Sequence, residues 1–152
     1  METRARVDRE PAARFAAKLA SDLERSLRDA FALLTEIRWA YLFGSCGRAE
    51  PFRDVDVAVM LSPGATGAVA LGRIVESAET AARGIPVDVL DLAAAAPALA
   101  GRVAREGRLL VDREPETRRA WEVAANRRAL DIEPWLAQAE RLRNEALRLR
   151  VG

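Results

Sequence analysis

Three aspartates, a glycine–serine pair and one arginine are spaced in a way that suits chemistry on a phosphate. Asp54 and Asp56 stand two residues apart in the run Asp-Val-Asp-Val. On a β-strand, residues i and i+2 share a face, with Cα atoms roughly 7 Å apart. Both carboxylates then lie on one side with Ala58 and Met60, while Val55, Val57, Val59 and Leu61 turn toward a helix layer. Two hard oxygen ligands on one side suit Mg²⁺, which takes phosphate oxygens and water as its other ligands. Asp88 sits inside the apolar run Val87 to Leu90, where a lone acid is costly unless it is paired or binds a cation. On a strand beside that of Asp54 it would complete a three-carboxylate metal site. Asp91 alternates to the opposite face. Gly44 and Ser45 follow a hydrophobic run. There, free backbone N–H groups at a helix start can hold phosphate, glycine allows close approach, and the Ser45 hydroxyl adds a donor. Arg48, one turn on, can neutralise a phosphate or form a surface salt bridge. Plainer readings stand beside these: a solvated acidic strand end for Asp54 and Asp56, an ordinary turn for Gly44-Ser45, and an exposed edge aspartate for Asp88.

The elements that must position these residues follow from periodicity and breakers. Phe15, Leu19, Leu23, Leu27, Ala30, Phe31 and Leu34 recur at helical spacing, which predicts an amphipathic helix from Pro11 to Thr35. Trp39 to Phe43 is of strand type, Gly44 to Gly47 a turn, and Asp54 to Leu61 a second strand ended by Ser62-Pro63-Gly64. A helix is expected over Gly67 to Arg83 and a third strand over Pro86 to Leu92. A mostly helical stretch runs from Ala93 to Glu106, with a short edge strand from Leu109 to Val111. From Pro115 the chain reads as helical, with a break near Asp131 to Pro134, because proline is tolerated only in a helix's first turn. Trp135, Ala139, Leu142, Ala146 and Leu149 step by four and three, a heptad seam. It faces either its own domain or a partner.

The whole is an α+β chain of 152 residues, long enough for one domain with a real core. Three parts are expected: an N-terminal helix (1–35), a sheet core (36–112) and a C-terminal helical region (113–152). Charge is balanced, with 24 basic and 23 acidic residues, which argues against non-specific nucleic-acid binding. The single cysteine, Cys46, rules out an internal disulfide. Met1 to Glu10 is polar and unlike a signal peptide, and no apolar run is long enough to span a bilayer, so the expectation is a cytoplasmic protein away from membranes. With no histidine in the chain, acid–base chemistry must use carboxylates.

The string YLFGSCGRAEPFRDVDVAVML resembles the nucleotidyltransferase signature of the DNA polymerase β superfamily. It is most similar to the minimal nucleotidyltransferases, the MNT antitoxins of HEPN/MNT toxin–antitoxin pairs. IPVDVLDLAAAAPALAGRVAREGRLLV resembles that family's third strand, helix and edge strand, and ALDIEPWLAQAERLR its C-terminal tail. The resemblance implies a small mixed sheet of about four strands flanked by helices. It implies that Gly44 and Ser45 grip a triphosphate with Arg48 beside them, and that Asp54, Asp56 and Asp88 hold Mg²⁺. The implied reaction is transfer of AMP from ATP to a hydroxyl, a tyrosine of a cognate HEPN ribonuclease toxin, within a complex of the two chains. In three respects the chain departs from the family: eight residues separate Ser45 from Asp54, a shorter loop than usual; Ala49 replaces a glycine; Arg53 replaces a serine. Two rival readings are an antitoxin that neutralises by binding alone and a transferase for a small molecule, the latter expected to need an added acceptor domain.

Overall fold

The computed structural model describes residues 9–48, 50–65 and 67–151. The polar stretch at 1–8 and the departure at Ala49 lie outside the described residues. The elements in chain order are α1 (Arg9–Ala32), β1 (Ile37–Phe43), α2 (Gly44–Gly47), β2 (Val55–Leu61), α3 (Ala68–Ala81), β3 (Val87–Asp91), α4 (Pro97–Glu106), β4 (Arg108–Asp112) and α5 (Pro115–Val151). Among the described residues, no helix is long and apolar enough to cross a membrane.

The four strands form one mixed sheet in the order β3-β2-β1-β4. β1 runs antiparallel to both β2 and β4, and β2 is parallel to β3. Strand alternation divides the core. Val55, Val57, Val59 and Leu61 face one side, with Ala40 and Leu42 from β1. Leu23, Leu27 and Phe31 of α1 and Ile74 and Ala78 of α3 cover that side. A register shift between Ile37 and Trp39 brings Ile37 onto the same face as Ala40. The other side carries Trp39, Tyr41, Ala58 and Met60, covered by Val103 of α4 and Trp121 of α5. The result is helices on both faces of a sheet whose central strands are buried.

Three expectations are corrected. Phe15 is 70% exposed. The buried stripe of α1 runs through Ala16, Ala20, Leu23 and Leu27, and at 3.6 residues per turn Phe15 lies about 100° round the helix from Ala16. Residues 92–96 are not helical. Asp91 accepts a hydrogen bond from the Ala93 N–H (3.0 Å), an Asx turn, and Pro97 then starts α4 at its first turn. The expected break near Asp131 to Pro134 is absent: Pro134 lies inside the continuous 37-residue α5. An interior proline removes the bond to the carbonyl four residues back, that of Leu130. The helix continues through this point all the same.

The first half of α5 is fastened to the sheet. The Tyr41 hydroxyl donates to Glu122 Oε1 at 2.6 Å, and Arg118 donates to both Asp112 (2.9 Å) and Glu122 (2.7 Å). Trp121 stacks obliquely on Trp39 and Tyr41, with ring centroids 6.0 and 6.1 Å apart. Burial and the Glu122 carboxylate push the Tyr41 phenol well above its ordinary range, so it stays a neutral donor.

Candidate active site

The acids sit at the sheet edge where β1 ends and β2 and β3 begin. Phe43, the last residue of β1, pairs with Asp56 across the antiparallel ladder, and Asp56 pairs with Asp88 across the parallel one. Neighbouring strands are about 4.8 Å apart, so the Asp56 and Asp88 backbones lie side by side with their side chains on the same face. Asp54 comes two residues before Asp56, just ahead of β2, and its charge reaches Asp56. Asp54 and Asp88 are exposed and Asp56 is half-buried. Asp91 is on the opposite face and caps its own turn.

The Asp56 carboxyl is held above the ordinary carboxylate range. Burial is the largest cause, followed by the negative charges of Asp54 and Asp88, with Arg102 pulling the other way. Asp54 and Asp88 are therefore each close enough to repel Asp56, a charge excess that a cation would relieve. As the side chains stand, no three His, Cys, Asp or Glu groups among the described residues are arranged to ligate one ion. The side-by-side Asp56 and Asp88 and the excess of negative charge fit a divalent cation.

The turn after β1 lies against these acids. Gly44 has φ +69°, and a Cβ built there would collide with Asp56 Oδ2. Glycine is thus required twice, by conformation and by space. No side chain caps α2, whose first amides consequently have no capping partner on a side chain. Ser45 is half-buried, and its carbonyl accepts from the N–H groups of Arg48 (3.2 Å) and Glu50 (3.0 Å), folding the following loop back on the turn. Cys46 beneath it is buried, and burial together with the Asp56 charge raises its thiol to about 11. It is a neutral packing residue at pH 7 and no nucleophile.

Arg48 is engaged by carboxylates. It bonds Glu50 (3.1 Å) and approaches Glu106 of α4 at 3.7 Å; Glu106 in turn pairs with Arg102 at 3.3 Å. To meet a phosphate, Arg48 would have to exchange these exposed partners, which hold it only weakly. Arg102 is the residue that sequence reasoning missed. Its neighbour Val103 is buried against the sheet, and only the crossing of α4 over that face brings Arg102 within electrostatic reach of Asp56. No spacing along the chain signals this.

Comparison with known proteins adds a family and a fold. No curated protein matches the sequence. Solved structures do match in shape. A chain of a toxin–antitoxin crystal structure with AMP-PNP is 20% identical with a TM-score of 0.61, over 82% of this chain and 98% of that one. A chain of an MntA–HepT toxin–antitoxin structure is 18% identical with a TM-score of 0.57, over 82% and 97%. A chain from the complex of tri-AMPylated Shewanella oneidensis HEPN toxin with MNT antitoxin is 20% identical with a TM-score of 0.54, over 87% and 98%. At these identities the likeness establishes the α+β nucleotidyltransferase-like fold. The family model described as polymerase β nucleotidyltransferase matches residues 25–116, from the middle of α1 through the Gly44–Ser45 turn and all three aspartates to the start of α5. With that span matched, and the glycine–serine turn set against the aspartates of β2 and β3, this chain belongs to the polymerase β nucleotidyltransferase family.

Proposed function

We propose that the chain is an antitoxin that transfers AMP from ATP to a hydroxyl, a tyrosine, of a cognate HEPN-domain toxin and so neutralises it. The observation that carries this reading is the pairing of Asp56 with Asp88 on adjacent strands, with Asp54 two residues upstream and the Gly44 turn pressed against Asp56. Family membership supports nucleotidyl transfer, and the similarity to chains of toxin–antitoxin structures, one with AMP-PNP and one with an AMPylated HEPN toxin, supports the partner.

In this reading the Gly44 and Ser45 amides and the Ser45 hydroxyl hold the triphosphate, and Arg48 offsets its charge after leaving Glu50. Asp54, Asp56 and Asp88 would hold Mg²⁺, which when bound neutralises phosphate charge and lowers the barrier to in-line displacement. The acceptor oxygen attacks the α-phosphorus, the bond from that phosphorus to the bridging oxygen of pyrophosphate breaks, and pyrophosphate leaves. Asp88, exposed at the sheet end, takes the hydroxyl proton, a role that falls to a carboxylate because the chain has no histidine. Positioning and electrostatics supply most of the rate enhancement.

The test is incubation of the purified chain with Mg²⁺, labelled ATP and the protein encoded beside it. Label should pass to a tyrosine of that protein with the wild type and not with Asp54→Asn. An unlabelled neighbour in the presence of folded wild-type chain would defeat the transfer reading. A second reading, neutralisation by binding alone, is favoured by the short loop between Ser45 and Asp54 and by the lack, among the described residues, of three acids arranged around one ion. It predicts that the Asp54→Asn/Asp56→Asn double variant, at equal expression, protects cells as well as the wild type does.

A further inference from the structure

The second half of α5 leaves the domain. Every residue from Glu133 to Arg148 is exposed, including Trp135 at 73% and Leu142 at 59%. The heptad seam therefore does not cover its own domain. Its described members, Trp135, Ala139, Leu142 and Ala146, fall within one narrow stripe of the helix. The stripe lies beyond residue 116, where the family match ends.

We infer that the stripe pairs with the same stripe of a second copy of this chain, antiparallel, about a two-fold axis near Glu140 and Arg141. Two features of the stripe select a copy of itself. First, the antiparallel register that sets Trp135 opposite Ala146 of the second copy also sets Leu142 opposite Ala139. Each large side chain then meets a small one, as interdigitated layers require. A parallel pair would stack Trp135 on Trp135 and leave Ala139 facing Ala139. Second, the tail is divided in charge. Asp131, Glu133 and Glu140 lie in its first half, and Arg141, Arg143 and Arg148 in its second, with Glu145 the one exception. Antiparallel pairing lays the acidic half of one copy along the basic half of the other, and parallel pairing opposes like with like. The contact is isologous and closes at two copies. A single pair of short helices is small beside a standard interface of roughly 1,600 Å², so association in the micromolar range is expected. The inference is independent of nucleotidyl transfer and stands or falls without it.

Sedimentation equilibrium of the full chain, from low micromolar to several hundred micromolar, reads the outcome. The mass should climb from 16.6 kDa toward twice that value. Trp135→Ala, which empties a layer, and Ala146→Trp, which puts tryptophan against tryptophan, should each weaken association at least about tenfold. The double variant Trp135→Ala/Ala146→Trp restores large against small in both layers and should recover association to within about threefold of wild type. Helical circular dichroism confirms that each variant is folded. A chain that stays at 16.6 kDa throughout overturns the inference, even if Trp135 is then needed to bind the neighbour-encoded protein. A double variant as weak as the single ones overturns it as well.

Discussion

Asp56 carries a charge that most of its surroundings oppose: burial first, then Asp54 and Asp88, with Arg102 in partial relief. Because its folded pKa lies above the ordinary value of 3.8, the folded chain binds more protons than the unfolded one between those two values. Stability is therefore highest below the ordinary value and falls as pH rises through the window, and at pH 7 ionised Asp56 is a net cost. Asp56→Asn should raise the melting temperature at pH 7 by about 1–3 °C while abolishing the proposed AMP transfer. The stabilisation should shrink toward zero below about pH 4, where the wild-type carboxyl is protonated. Thermal melts at both pH values measure this. Gly44→Ala meets a positive φ and the Asp56 carboxylate at once. It should cost about 1–3 kcal/mol, seen as a lower urea midpoint at unchanged slope, and should weaken ATP binding. Alternation along β2 made the place of Asp56 on the face of Ala58 and Met60 legible in the sequence, whereas Asp54 lies just ahead of the strand and outside that alternation. The place of Asp88 was legible only through resemblance, since strand pairing is not written in either strand. Arg102 was illegible because helix crossing is a property of the assembled layers.

At the scale of elements, α4 and α5 meet through their smallest residues. A Cβ at Gly101 would run into the Cβ of Ala129 and crowd the Ala125 carbonyl at 3.3 Å. Gly101→Ala should push the helices apart and lower the melting temperature by about 2–6 °C, equivalent to about 1–2 kcal/mol, despite alanine's better helix propensity. A rise in melting temperature would show that the two helices can yield. Helices and strands with clear periodicity were legible close to their ends, as in α1 and β2. The misreadings arose where one local rule competed with another. Ala93 to Ala96 has strong helix propensity, yet the Asp91 side chain and Pro97 move the start of α4 downstream. Pro134 argued for a break, yet the helix-forming residues on either side of it carry α5 through.

For the whole molecule, the contrast lies between a domain with buried central strands and a projecting rod. Trypsin should cut first at Arg141, Arg143 and Arg148, which are exposed, and leave a core that melts within about 2 °C of the intact chain, because the tail contributes little burial. Cleavage should slow as protein concentration rises if the tails pair; gel electrophoresis over a time course reads both effects. At about 1.5 Å per residue, the 37 residues of α5 reach about 55 Å, longer than a compact sphere of this mass is wide. Such an outline raises friction: even a single copy should elute from a gel-filtration column ahead of spherical standards of 16.6 kDa and diffuse more slowly than they do.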